Sequence, residues 1–277
     1  FEPGTYNLCL DIEARVEATF LAVNEDSTSS MAADGPDISC TRATPEHILL
    51  CDDQTSTLTV KGDLRIRGFS VQNSFNGRGV TVENGNFTAQ DSVFEQPGDT
   101  PSATSIDGGG IWLEGTRLAT SDDLGTVNLI HTVFRNLNSR NGGALFVDSG
   151  TANVLASKVC GTSALESGGA IGVEGTSSNP GVLNTNGLTV AGCTARDGGG
   201  IAVGGFGEIS MVDSTIQSST ASQKGGGIYG TDAATLRMVA TTLQANTANL
   251  YGGGLYTDAS SAMFQGGTIS TNVALVF

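Results

Sequence analysis

A glycine cluster closed by an aliphatic residue recurs six times between residues 108 and 255 of this 277-residue chain. The closing aliphatic residues are 34, 26, 30, 27 and 27 residues apart. A repeat of this length is one supersecondary unit that cannot bury its apolar face alone, so the units must stack on one another. The clusters are Gly108, Gly109, Gly110 and Ile111; Gly142, Gly143 and Leu145; Gly168, Gly169 and Ile171; Gly198, Gly199, Gly200 and Ile201; Gly225, Gly226, Gly227 and Ile228; and Gly252, Gly253, Gly254 and Leu255.

Three stretches in each repeat alternate apolar and polar residues with the period of two that is typical of β-strands. In one repeat the apolar pairs are Ile111 with Leu113 and Val127 with Leu129, and Phe134 marks the third stretch. Three short strands joined by tight turns make one coil of a parallel β-helix. We therefore predict an all-β, right-handed parallel β-helix (a solenoid) with three short strands and about 27 residues per coil.

The glycines are expected where the backbone turns sharply, because a side chain there would require φ > 0 or collide with the coil above. Two other solenoid types are excluded by their signatures. The leucine-rich pattern L-x-x-L-x-L-x-x-N and the calcium-binding pattern G-G-x-G-x-D are both absent from the chain.

Two further columns of equivalent residues accompany the third stretch of each repeat. The first column is Leu137, Thr162, Cys193, Ser219, Asn246 and Asn272, and the second is Ser139, Ala164, Ala195, Ala221, Ala248 and Ala274. Together with the glycine clusters they resemble the F-x-x-N and G-G-A-I repeats of the polymorphic outer-membrane proteins of chlamydiae, over roughly residues 66 to 277. The resemblance implies a pectin-lyase-like, right-handed parallel β-helix in a secreted or surface protein.

The chain divides into two regions. Residues 1–65 lack glycine clusters and hold three of the five cysteines, so we expect irregular coils or a cap there. Residues 66–277 are predicted to form the repetitive β-helix. The pattern breaks off in mid-repeat at residue 277, and we therefore expect these residues to be part of a longer solenoid.

The charge of the chain excludes some classes of partner. The formal net charge is −15, with a sequence pI of about 4.3, so a nucleic-acid backbone would be repelled. No apolar run reaches the roughly 20 residues that a membrane helix needs. The chain contains no C-x-x-C pair of the kind that binds zinc. We therefore predict no metal site and no cofactor.

The cysteines indicate an oxidising, extracellular or cell-surface location with one or two disulfides. The candidates are Cys9, Cys40, Cys51, Cys160 and Cys193, and the odd count leaves at least one thiol free or paired outside this segment. Cys160 and Cys193 would bridge neighbouring coils if the geometry permits. Asn86 lies in an N-x-T tripeptide and is a candidate glycosylation site.

Parallel β-helices host polysaccharide lyases and hydrolases, so an enzymatic function is an alternative for this chain. The G-H-G and R-I-K strings of polygalacturonase-like enzymes are absent. The candidates that remain are also explained by ordinary structure, as solvated turns, exposed strand positions beside the apolar Ile66, or a corner of the coil. These candidates are Asp52, Asp53, Asp122, Asp123, Arg65, Arg67, His47 and His131.

Three aromatic residues, Trp112, Tyr229 and Tyr256, follow glycine clusters and are expected to point outward. Such a strip could stack on sugar rings, although ordinary strand propensity is the better explanation. From these patterns we expect an extracellular or cell-surface structural and adhesive module without a catalytic role. Its expected partners are a protein or polysaccharide at a surface, or further copies in a filament. The alternative is a carbohydrate-binding protein, or a lyase or hydrolase, acting on an extracellular polymer.

Overall fold

The computed structural model describes residues 4–7, 10–12, 17–21, 47–50, 56–72, 77–96, 106–115 and 124–276. These residues form 32 β-strands and no helix. Three parallel sheets stack as a β-solenoid of about eight turns with about 26 residues per turn, which confirms the predicted fold class. Without a helix, the described part of the chain holds no helical segment long and apolar enough to cross a membrane.

Each coil contributes to three sheets whose strands pair in parallel. The first sheet follows the glycine clusters and contains β2 (Leu10–Ile12), β5 (Ser56–Val60), β8 (Arg78–Val82), β11 (Ile111–Leu113), β15 (Leu145–Val147), β19 (Ile171–Val173), β23 (Ile201–Val203), β27 (Ile228–Gly230) and β30 (Leu255–Thr257). The third sheet contains β14 (Asn138–Asn141), β18 (Ser163–Ser167), β22 (Thr194–Ala195), β26 (Thr220–Ala221), β29 (Thr247–Ala248) and β32 (Val273–Ala274).

The second sheet has 17 strands because most coils contribute two consecutive strands to it. They are β1 (Gly4–Asn7), β3 (Glu17–Leu21), β4 (His47–Leu50), β6 (Asp63–Arg67), β7 (Ser70–Gln72), β9 (Asn86–Gln90), β10 (Val93–Glu95), β12 (Thr126–Ile130), β13 (Val133–Arg135), β16 (Gly150–Leu155), β17 (Lys158–Cys160), β20 (Gly181–Asn186), β21 (Thr189–Ala191), β24 (Glu208–Val212), β25 (Thr215–Gln217), β28 (Thr235–Gln244) and β31 (Ser261–Ser270). The three predicted strands per coil correspond to the first sheet and to this pair. The short strand of the third sheet, which carries the alanine column, is an addition.

The residues that close the glycine clusters stack directly on one another, as predicted. Ile171 pairs in register with Ile201, which pairs with Ile228, and the same column continues to Ile111 at one end and Leu255 at the other. The first five members of this column, from Ile111 to Ile228, are buried in one continuous hydrophobic core, and the partly buried Leu255 packs against it. The core therefore runs along the axis of the solenoid instead of dividing into separate clusters.

Strands from residues 1–65 join the same sheets. β1 pairs with β4, which pairs with β7, and β3 pairs with β6, which pairs with β9. The polar segment 24–37 lies outside the described residues, as do Cys9, Cys40 and Cys51.

The coil at the C-terminal end of the described chain differs from the others in burial. Ile269 is 52% exposed, whereas Leu243, its partner in register one coil earlier, is fully buried. Among the described strands β31 pairs only with β28, which accounts for the difference.

Candidate functional site

The outward face of the first sheet carries a column of aromatic and small residues. Because side chains alternate along a strand, the residue between two buried aliphatic residues points away from the core. We call this set the aromatic column; from coil to coil it consists of Trp112, Phe146, Gly172, Ala202, Tyr229 and Tyr256. Trp112, Tyr229 and Tyr256 are partly exposed, as predicted for outward-pointing residues.

A groove opens in the middle of the aromatic column. The Phe146 ring leans over Gly172, where an added Cβ would lie 2.6 Å from Phe146 Cδ2. Ala202 presents only a methyl group, and beyond it the Tyr229 ring stacks on Tyr256 with centroids 5.7 Å apart and planes 12° apart. The resulting cavity between Phe146 and Tyr229 has a volume of about 310 Å³. That volume is at the lower end of the range for small-molecule sites.

Two carboxylate residues, Glu174 and Asp232, line this groove together with the hydroxyl residues Ser167 and Thr231. Glu174 directly follows β19, and Asp232 lies in the turn after β27. The groove therefore combines aromatic walls, a floor of small residues and negative charge.

Glu174 is also the last member of a row of acidic residues, one after each of the four consecutive first-sheet strands β8, β11, β15 and β19. We call Glu83, Glu114, Asp148 and Glu174 the acidic ladder. Their backbone N–H groups each donate to the coil before, as in Asp148 N–H to Leu113 O (3.0 Å) and Glu174 N–H to Val147 O (2.8 Å). Consecutive members are therefore one strand spacing apart, about 4.8 Å.

Burial and the charges of the acidic ladder together shift the pKa of one of its members, Glu114. Burial raises the pKa of Glu114, and the neighbouring charges of Glu83 and Asp148 raise it further, whereas Arg78 and Lys61 act in the opposite direction. Lys61 Nζ lies 3.5 Å from Glu83 Oε2, and the two side chains form a salt bridge. A cation placed beside the acidic ladder would be stabilised by the negative charges of these carboxylates.

The chain itself places a cation at each end of the aromatic column. The guanidinium carbon of Arg78 lies 4.2 Å from the Trp112 ring centroid, and Lys224 Nζ lies 5.0 Å from that of Tyr256. Arg78 is 7% exposed, and burial lowers its pKa to about 10. Its Nε and Nη1 atoms are buried and have no hydrogen-bond partner among the described residues.

The catalytic candidates that lie within the described residues, Arg65, Arg67, His47 and His131, are not among the lining residues of the groove. Arg65 and Arg67 are exposed on the second sheet on either side of the buried Ile66, and Arg67 Nε pairs with Asp91 Oδ2 at 3.1 Å. His131 lies at a corner with φ of 50°, and His47 begins β4. Asp52, Asp53, Asp122 and Asp123 lie outside the described residues.

The predicted bridge between Cys160 and Cys193 is wrong. Cys160 is disulfide-bonded, but Cys193 is a free, buried thiol. Cys160 pairs in register with Ala191 in the second sheet, whereas Cys193 lies in the column that faces the core and accepts a hydrogen bond from Thr162 Oγ1 at 3.3 Å. Burial raises the pKa of the Cys193 thiol.

The candidate glycosylation residue, Asn86, is exposed at the start of β9, and its side-chain amide donates to Asp63 Oδ1 at 2.7 Å. In the part of the chain that the structure describes, no three His, Cys, Asp or Glu residues are grouped to hold a metal ion.

Sequence reasoning found the aromatic residues 112, 229 and 256 but missed Phe146, Glu174 and Asp232. The signal for Glu174 was present, since an acidic residue follows the first-sheet strand in four consecutive coils. A scan of family models, a search of curated proteins and a search of solved structures each found no match to this chain.

Proposed function

We propose that this chain is an extracellular or cell-surface β-helix module with a structural and adhesive role and no catalytic activity of its own. The observation that carries the proposal is the open groove within the in-register aromatic column, on the outside of a solenoid with a single continuous core. The resemblance of the repeats to those of chlamydial polymorphic outer-membrane proteins supports the same assignment.

A solenoid suits adhesion for a physical reason. The nine strands of the first sheet span about eight spacings of 4.8 Å, or roughly 38 Å, along the axis. Each coil is held by its neighbours, so side chains in one outward column keep a fixed spacing along that length. A polymer chain that follows the column can contact several coils at once, which strengthens binding without any single tight contact.

The proposal is tested by presenting the purified chain to a panel of immobilised extracellular polysaccharides and glycoproteins. Surface plasmon resonance measures binding, and size-exclusion chromatography of the same polymers measures their length before and after incubation. We expect saturable, reversible binding to at least one surface with the polymer length unchanged. Absence of binding across the panel would contradict an adhesive role, and shortening of a polymer would contradict a non-catalytic one.

A carbohydrate-active enzyme is the second candidate, and the position of Glu174 and Asp232 beside the aromatic walls favours it. Carboxylates next to a sugar-binding surface are the groups that glycoside hydrolysis uses. The test is incubation with a panel of uronate and neutral polymers, with and without EDTA, followed by assay of unsaturated sugars and reducing ends. If either product appears and Glu174→Gln abolishes it, the enzymatic assignment replaces the adhesive one.

A further inference from the structure

We propose that the groove between Phe146 and Tyr229 binds a cationic amino sugar, a glucosamine-type residue of a polysaccharide. The inference rests on the proposed adhesive function and narrows its ligand to one chemical class. It depends on the charge of the groove, on the behaviour of the aromatic column towards cations, and on the shape of the floor.

Charge is the first argument. Glu174 and Asp232 both line the groove, and no Lys, Arg or His is among its described lining residues. Asp148, one coil before Glu174 in the acidic ladder, adds negative potential on the same side. An ammonium group in the groove is therefore attracted, whereas a uronate carboxylate is repelled.

The aromatic column supplies the second argument, because the chain already uses it to hold cations. Arg78 lies over Trp112 and Lys224 lies over Tyr256, so both ends of the column make cation–π contacts. Tyr229 is stacked on Tyr256 on one side and borders the groove on the other. The groove therefore offers an ammonium group a tyrosine ring with carboxylates beside it.

The floor and the spacing of the charges favour a sugar over a peptide. Gly172 and Ala202 leave a shallow surface on which a saturated ring can lie, and Ser167 and Thr231 at the margin provide hydroxyl groups for hydrogen bonds to a sugar. Glu174 and Asp232 follow first-sheet strands two coils apart, about 9.6 Å along the axis, whereas an extended lysine-rich peptide presents alternate side chains every ~6.7 Å.

The ligand class is tested by isothermal titration of the whole chain with four oligomers. They are a fully deacetylated glucosamine oligosaccharide, its N-acetylated form of the same length, an oligogalacturonate and a lysine-rich peptide. We expect binding of the deacetylated oligosaccharide alone, weakened as added salt screens the charges. Equal binding of the N-acetylated form would show that the ammonium group is not recognised and would overturn the proposal, as would equal binding of the lysine-rich peptide.

The location is tested with three variants and one matched control. Tyr229→Ala is expected to weaken binding roughly 3- to 30-fold through the lost cation–π contact, and Asp232→Asn roughly two- to fivefold. Ala202→Phe adds an aromatic residue where the neighbouring coils already carry Phe146 and Tyr229, so the coil can accept it while the groove is filled. This variant is expected to abolish binding.

The control is Glu208→Gln, which removes an exposed carboxylate of the second sheet that is not among the lining residues of the groove. Circular dichroism establishes that each variant is folded. Unchanged binding by Ala202→Phe, or a loss in Glu208→Gln equal to that in Asp232→Asn, would place the ligand elsewhere and overturn the proposal. If all four oligomers fail while another polymer of the panel binds, the amino-sugar inference is wrong and the adhesive function stands.

Discussion

At the scale of single residues, the positions of a glycine cluster are constrained for different reasons. The first glycine has a left-handed backbone, as at Gly198 with φ of 63°. The second has no such φ, but a Cβ added at Gly199 would lie 2.5 Å from the carbonyl oxygen of Gly226 in the next coil. The third position accepts a methyl group, since Ala144 and Ala170 occupy it in two coils. The expectation of a sharp turn or a collision therefore holds: the first glycine adopts the left-handed φ, and the second lies against the backbone of the next coil.

Gly199→Ala tests the second position. The added methyl group must displace the backbone of the neighbouring coil, so we expect a loss of about 1–3 kcal/mol in the free energy of unfolding. The measurement is chemical denaturation. The control is Gly204→Ala, because a Cβ at Gly204 meets only Thr231 Cγ2 at 3.6 Å. An equal effect of the two substitutions would contradict the explanation by backbone contact.

Asn246 is the centre of a buried polar ladder in the column that the sequence predicted. It accepts from Ser219 N–H at 3.0 Å and donates through Nδ2 to Ile216 O at 3.0 Å. Asn246→Ala removes the acceptor of the Ser219 N–H and one of the donors to Ile216 O inside the core, so we expect destabilisation of about 1–3 kcal/mol. Thermal unfolding measures it, with the exposed Asn249→Ala as the control. A melting temperature as high as that of the control would refute this role of the ladder.

The corner that contains His131 shows what sequence patterns leave out at this scale. His131 was predicted to lie at a corner of the coil, and the structure places Ala156 and Asp213 at the same corner of other coils, with φ values of 50°, 45° and 47° for the three residues. Left-handed φ is uncommon for non-glycine residues, although His and Asp adopt it more often than Ala, so the residue types at this corner do not by themselves specify it. The hydrogen bond from His131 N–H to Leu155 O of the next coil (3.0 Å) shows that stacking sets the conformation.

At the scale of strands, the acidic ladder makes stability depend on pH. The pKa of Glu114 is raised in the folded chain, first by burial and then by Glu83 and Asp148, while Arg78 and Lys61 oppose the shift. The ionised carboxylate is therefore less favourable in the folded than in the unfolded state. This cost is absent below the unfolded pKa, grows as pH rises, and is complete above the folded pKa.

Glu114→Gln removes that cost at neutral pH. We expect a higher melting temperature than that of the wild-type chain at about pH 7.5 and no gain at about pH 3.5, where the glutamate is protonated in both states. Differential scanning calorimetry at the two pH values measures the effect, and Glu208→Gln on the second sheet is the control. A lower melting temperature for Glu114→Gln at neutral pH would contradict the sign of the shift.

The strands also show how far the sequence defines the candidate site. The alternation around Ile171, Ile201 and Ile228 was enough to predict which residues face inward and that Tyr229 faces outward. The groove itself depends on the direction of the Phe146 ring over Gly172, a rotamer choice that no periodicity encodes. Recognition of the groove therefore required the packing of adjacent coils.

At the scale of the whole molecule, stability is a sum over coils and their interfaces. A coil between two neighbours has two such interfaces, and the coil that contains β31 has one. We expect amide hydrogen exchange to be slowest in central strands such as β20 and fastest in β31. Exchange followed by mass spectrometry measures this, and equal protection of the two strands would contradict a stability built from neighbouring coils.

The size of the groove has an evolutionary consequence. Its two walls, Phe146 and Tyr229, belong to different coils, with Gly172 and Ala202 between them. The distance between the walls therefore changes only by whole repeats. Duplication of a repeat between Phe146 and Tyr229 would lengthen the binding slot by about one strand spacing, 4.8 Å, and duplication elsewhere would leave it unchanged. Ligand size in such a protein can therefore be altered by repeat copy number, without redesign of any side chain that touches the ligand.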